Sequence, residues 1–304
     1  MNTDQQTRFD LLYDQHVRAL KRHGKATKTI EAYGLAARRL AGFVDRCPDD
    51  LSTDDLNAYF EWLIDNRGWS TVKLDRNGIR FFYEQILGQS MPWLDMVRPP
   101  KIQALPDVLT VDEIARLIRC TRERRFRVFW LATYSMGLRL GETLKLEVAD
   151  IDSTRMRVHV RLAKGNKDRF VILPAITLDA LRRWWAVHRH PRWVFPGQSS
   201  TAMAPAAHLM DRSTIQRAFK RAAGDAGIRK SVSIHSLRHS YATHMVEAGL
   251  SLRGVQDQLG HASPTTTARY VRMTEVSRQQ QDAVINGLVE RLTCAVRAAS
   301  ARTA

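Results

Sequence analysis

Ile234-His235-Ser236-Leu237-Arg238-His239-Ser240-Tyr241-Ala242-Thr243-His244 decides how the second half of the chain is built. On a helix, His235 and Arg238 stand three residues apart and share one face. A helix start adds backbone N–H groups and a positive dipole end, surroundings that suit phosphate. A proton-carrying histidine beside an arginine that grips an oxyanion makes a pair fit for catalysis. His235 and His239 could instead share a metal ion. No Asp, Glu or Cys sits nearby to complete such a site, and no metal is expected.

Three further patches lie outward from this one. Upstream, Gly137-Leu138-Arg139-Leu140-Gly141-Glu142 sets an arginine after a glycine at the end of an apolar stretch. The planar fork of Arg139 matches paired phosphate oxygens, although taken alone it could equally pair with Glu142 three residues on. Between the two patches, Arg155 to Leu162 alternates basic with apolar residues and Arg169 to Leu173 is apolar and β-rich. The turn residues Lys164-Gly165-Asn166-Lys167 join them, which predicts a hairpin. Lys164 or Lys167 would project from its tip, either into a nucleic-acid groove or simply into solvent. Downstream, Leu259-Gly260-His261 precedes Arg269-Tyr270, with Arg272 just beyond. On spacing alone Tyr270 reads as an amphipathic core or rim residue.

The first part of the chain reads as four helices: Thr7 to His23, Thr27 to Arg46, a segment opened by a capping box at Ser52 and Asp55, and Ser70 to Leu87. Arg98-Pro99-Pro100-Lys101, with Pro106 shortly after, forbids helix and favours an extended chain. The expected organisation is a helical domain over 1–97, a linker over 98–109 and a second domain over 110–304. That second domain opens with helix signals at Thr110 to Glu113 and Phe126 to Met136. It closes with an amphipathic helix at about 275–292 that places Val284, Leu288 and Leu292 on one face. The fold class predicted is mainly α with a small β-sheet, α+β.

Charge is divided as sharply as the fold. The formal net charge of the chain is +16, yet residues 1–97 hold 13 Lys and Arg against 14 Asp and Glu, whereas residues 98–304 hold 34 against 17. A surplus so concentrated suits a surface laid along a polyanion, with a merely soluble basic protein as the plain alternative. Cys47, Cys120 and Cys294 are odd in number and widely spaced, so reduced thiols are expected rather than disulfides or a zinc site. No stretch approaches the roughly 18 apolar residues of a membrane helix, and Met1 to Asp10 lacks the pattern of a secretory signal. The expected location is cytoplasmic.

Taken together, Arg139, Lys164, His235-x-x-Arg238, Leu-Gly-His261 and Tyr270 resemble the ordered signature of the tyrosine recombinases, the phage integrase family. Leu237 to His244 is most similar to Xer-like recombinases and integron integrases. Leu140-Gly141, Arg269 and Val271 depart from the commoner residues of that pattern without removing a reacting group. The resemblance implies a four-helix, SAM-like core-binding domain that clamps DNA and a catalytic domain after it. It implies that Tyr270 attacks a scissile phosphate to leave a 3′-phosphotyrosyl bond, while Arg139 and Arg238 hold the non-bridging oxygens. His235 would be general base or phosphate ligand, Lys164 general acid, His261 a further donor, and Glu142 the residue that orients Arg139. DNA contacts are expected from Lys21, Arg22, Lys25 and Lys28 in the first domain and from Lys167 and Arg169 on the hairpin.

No metal or other cofactor is implied, and no membrane. The expected partner is double-stranded DNA carrying a recombination site, bound by a homotetramer on paired sites that falls to monomer or dimer off DNA. The tail helix would dock on a neighbouring protomer or on its own domain. Two other readings share part of the pattern. A type IB topoisomerase would relax supercoils without any recombination site, and a DNA-binding protein that no longer cuts would not need all six side chains.

Overall fold

The computed structural model describes residues 1–90, 97, 107–163, 167–197 and 208–260. The chain divides into two compact units, Met1–Gln103 and Ala104–Ala304.

Unit 1 is built from α1 (Thr3–Arg22), α2 (Thr27–Val44), α3 (Thr53–Asn66) and α4 (Trp69–Phe82), the last running into a π-turn over Tyr83–Leu87. The first helix starts before Thr7 because the Asn2 side chain accepts the Gln5 N–H and caps it. The capping box read at Ser52 and Asp55 forms and opens α3. Leu40 of α2 meets Leu56, Phe60 and Leu63 of α3 and Ile79 and Phe82 of α4 in the core. One charged group is accommodated there: Tyr59 Oη donates to Asp75 Oδ2 at 2.6 Å, and Arg39 ion-pairs with the same carboxylate. A buried carboxylate partnered twice escapes most of its desolvation cost. His16 is fully buried with its ring edge-on to Phe81 and Phe82.

Unit 2 opens with α5 (Val111–Cys120), started by a capping box between Thr110 and Glu113. Its core gathers on α6 (Arg124–Ser135), whose Phe126, Phe129, Trp130 and Ala132 are all buried. Trp130 stacks on Phe126 and meets Phe219 edge-on. After α7 (Leu140–Leu144) comes an antiparallel sheet of β1 (Ile151–Asp152), β2 (Arg157–Ala163) and β3 (Lys167–Ile172), in that order. The hairpin is β2 and β3; β1, only two residues long, is too short to leave a periodic trace in the sequence. Val158, Val160 and Val171 of the hairpin are buried. Then follow α8 (Ala175–His188), α9 (Arg212–Asp225), α10 (Ile234–Glu247) and α11 (Leu252–Leu259). The architecture is therefore mainly helical with one small sheet. The expected tail helix at 275–292 and most of the 98–109 linker lie outside the described residues. Among the described residues no helix is long and apolar enough to cross a membrane.

Candidate active site

Arg139 stands at the N-cap of α7, immediately after the turn that ends α6. Its backbone N–H donates to Glu142 Oε2 at 2.9 Å and its Nη1 to Glu142 Oε1 at 2.7 Å. The local pairing that the sequence allowed is therefore real, and 23% of the Arg139 side chain stays exposed. A guanidinium has five N–H donors, so pairing with one carboxylate leaves donors to spare.

Arg238 projects from the first turns of α10. Nη1 donates to the carbonyl of Gly137 and Nη2 to the carbonyl of Leu259, both at 2.7 Å, and Nη1 also lies 3.7 Å from Glu142 Oε2. Two loops that are remote in sequence, at the ends of α6 and α11, are thus joined by one buried side chain. His235 lies one helical turn before Arg238 on α10 and is exposed. Desolvation lowers its pKa, and the charges of Arg238, Arg139 and Arg212 lower it further. A neutral imidazole at neutral pH is free to accept a proton.

Arg169 was expected on DNA and is turned inward instead. It lies opposite Val160 on β3, on the face that also buries Val171. Its Nη1 and Nη2 donate to the two oxygens of Glu142 at 3.0 and 2.8 Å, and its Nε donates to the carbonyl of Gln258 at 2.9 Å. With 9% of the side chain exposed, each of the three guanidinium nitrogens donates to protein. Glu142 accordingly serves three arginines. Burial opposes its ionisation, yet the hydrogen bonds and charge of Arg169, followed by those of Arg139, outweigh burial and hold the carboxyl down at about 2.

Lys164, His261, Tyr270 and the side chain of Lys167 lie outside the described residues. Of the six predicted catalytic side chains, the described residues bring Arg139 and Arg238 together at Glu142, and His235 lies one helical turn before Arg238 on α10. Among the described residues no cluster of three His, Cys, Asp or Glu could hold a metal ion. In unit 1, Lys21, Arg22, Lys25 and Lys28 are all exposed. Lys21 and Arg22 line an open cleft of about 560 Å³ together with Gln15, Arg18, Gln85 and Ile86. Arg18 was not singled out, although its spacing of three and four from Lys21 and Arg22 on α1 signals a shared face.

A family model described as the phage integrase family matches residues 107–276, and one described as phage integrase, N-terminal SAM-like domain, matches residues 12–93. The chain belongs to the phage integrase family. As a tyrosine recombinase it is an enzyme that cleaves and rejoins DNA. An integrase/recombinase of Escherichia coli is 34% identical over 82% of this recombinase and 85% of its own length. Tyrosine recombinase XerA of Thermococcus onnurineus is 32% identical over 65% and 70%. Among solved structures, a XerA recombinase aligns with a TM-score of 0.50 at 25% identity, covering 90% of this chain and 97% of that one. Lambda integrase bound as a dimer to a COC′ core site gives 0.69 at 18% identity over 86% and 94%. Its tetramer bound to a Holliday junction also gives 0.69, at 19% identity over 86% and 76%.

Proposed function

We propose that the enzyme exchanges DNA strands at a specific site through a covalent bond between Tyr270 and a 3′-phosphate. The observation that carries this reading is the pair Arg139 and Arg238 gathered at one buried carboxylate, with His235 one helical turn before Arg238 on α10. Tyr270 Oη forms a bond to phosphorus as the bond to the 5′-oxygen breaks, leaving a 3′-phosphotyrosyl ester and a 5′-hydroxyl. His235 accepts the phenolic proton and Lys164 supplies one to the departing oxygen. Arg139 and Arg238 stabilise the charge that gathers on the non-bridging oxygens, with His261 as a further donor. Because the energy of the phosphodiester is kept in the tyrosyl ester, a 5′-hydroxyl from a second duplex can attack it and complete the exchange.

On this reading residues 1–97 form a DNA clamp, 98–109 a linker and 110–304 the catalytic domain. Lys21, Arg22, Lys25, Lys28 and Lys167 meet phosphates, and the protein works in the cytoplasm on duplex DNA. A homotetramer on paired sites is supported by the likeness of fold to the lambda integrase tetramer on a Holliday junction. The test is a nicked duplex bearing the protein's own site, incubated with chelator. Wild-type protein is expected to give a covalent protein–DNA band that Tyr270→Phe abolishes. A band that survives this substitution defeats the assignment of the nucleophile, and a requirement for added metal defeats the proposed charge stabilisation.

A further inference from the structure

We propose that Arg169 is a positioning residue for strand cleavage, fixing Arg139 through Glu142 and fixing the end of α11 through the Gln258 carbonyl. The inference rests on the reading of Arg139 and Arg238 as phosphate ligands. Glu142 sits with 9% of its side chain exposed, where a carboxylate needs compensating positive charge. Arg169 supplies that charge with a bidentate pair at 3.0 and 2.8 Å. Without it, Glu142 would be compensated only by Arg139 and, at 3.7 Å, by Arg238, and would draw both inward. With it, Arg139 meets Glu142 through one guanidinium nitrogen and keeps 23% of its side chain exposed.

The same guanidinium holds a second anchor. The last carbonyls of a helix have no partners within it, and they carry partial negative charge. At the end of α11 two consecutive carbonyls are taken by arginines: Gln258 by Arg169 at 2.9 Å and Leu259 by Arg238 at 2.7 Å. The Gln258 side chain also accepts the Ile172 N–H at 3.2 Å, which ties α11 to β3. Gly260 then turns with φ +62°, and a Cβ there would stand 2.8 Å from Arg169 Cδ. Glycine is thus needed beside Arg169, one residue before His261. β3, which follows Lys164 in sequence, the cap that carries Arg139 and α11, which precedes His261 and Tyr270 in sequence, all meet at one ion pair.

The full chain is compared as wild type, Arg169→Met, Arg169→Lys, Glu142→Gln and the double variant Glu142→Gln/Arg169→Met. Single-turnover cleavage of the nicked duplex is measured beside affinity for the same DNA. Arg169→Met is expected to slow cleavage about 100-fold while the Kd moves less than about threefold, because misplacing a catalytic group costs rate more than binding. Arg169→Lys keeps the charge and should recover about tenfold of that loss. The double variant should lose less than the product of the two single losses, since Arg169 acts in part through that carboxylate and only its hold on the Gln258 carbonyl is independent of it.

Because the double variant removes both charges, it keeps the comparison readable if the methionine variant, whose carboxylate has lost its bidentate partner, does not fold. Affinity that falls in proportion to rate would make Arg169 a phosphate ligand and overturn the inference. So would losses that multiply in the double variant, or wild-type rates in Arg169→Met. Wild-type protein that binds its site without forming any adduct would instead overturn the cleavage reading itself, whatever Arg169 does, and the inference with it.

Discussion

An imidazole that is fully buried against two phenylalanine rings stays neutral in the folded chain, and His16 is in that position. Burial, partly offset by the Tyr33 backbone, holds its pKa at about 4 against the ordinary 6.5. The unfolded chain therefore binds the extra proton first, so stability is full above pH 6.5 and is lost as the pH falls from 6.5 towards 4. The slope within that window is about 1.4 kcal/mol per pH unit. Glu142 acts lower down. Its pKa is held at about 2 against 4.5, so its contribution is present above pH 4.5 and drains away beneath it. Hydrogen exchange of the unit 1 amides isolates the histidine effect from the rest of the chain. His16→Met should weaken the acid sensitivity of those amides between pH 6.5 and 4, and equal sensitivity in both proteins would remove His16 as its cause.

At the scale of elements, the end of α6 is the joint that delivers Arg139. Leu138 N–H returns to the Thr133 carbonyl at 3.0 Å, Gly137 adopts φ +60°, and the Gly137 carbonyl accepts from Arg238 at 2.7 Å. A Cβ on Gly137 would meet Tyr241 Cδ1 at 2.5 Å. Gly137→Ala should therefore cost about 1–2 kcal/mol for the left-handed backbone, with a further loss from displacing Tyr241. Urea unfolding measures it, and a variant as stable as wild type would show that the joint yields freely. This joint was legible because its signal is local: an apolar run, a glycine and an arginine in succession. The capping box at Ser52 and the helix start at Thr110 were legible for the same reason.

Arg169 was not, and the strand explains why. In β3, Arg169 and Val171 share one face while Phe170 and Ile172 share the other, so both faces carry apolar residues and alternation alone cannot say which is buried. Phe170 and Ile172 proved to be the exposed pair. The pairing that settles the face, Val160 opposite Arg169, and the carboxylate that receives the arginine, 27 residues upstream, are long-range facts. Arg139 and Arg238, read as phosphate ligands, could be named from their resemblance to an ordered family signature. Their common anchor on Glu142 could not, because no spacing encodes three guanidiniums converging from α7, β3 and α10.

For the whole molecule, charge is the property that the two units do not share. Residues 98–304 carry 34 basic against 17 acidic side chains, while residues 1–97 are close to balanced at 13 against 14. A balanced unit grips DNA only where its cations are sorted onto one surface, and the cleft lined by Arg18, Lys21 and Arg22 is such a place. Each phosphate neutralised releases counterions, adding about 0.9 to the slope of log K against log salt. Replacing Arg18, Lys21 and Arg22 together by Gln should flatten that slope by about 2–3. Affinity should fall by a similar factor on the recombination site and on unrelated duplex, because phosphate contacts position a protein without reading bases. Binding isotherms over a salt series on both DNAs decide the matter. An unchanged slope would show that this cleft meets no phosphate. A loss confined to the recombination site would mean that the cleft reads sequence rather than charge.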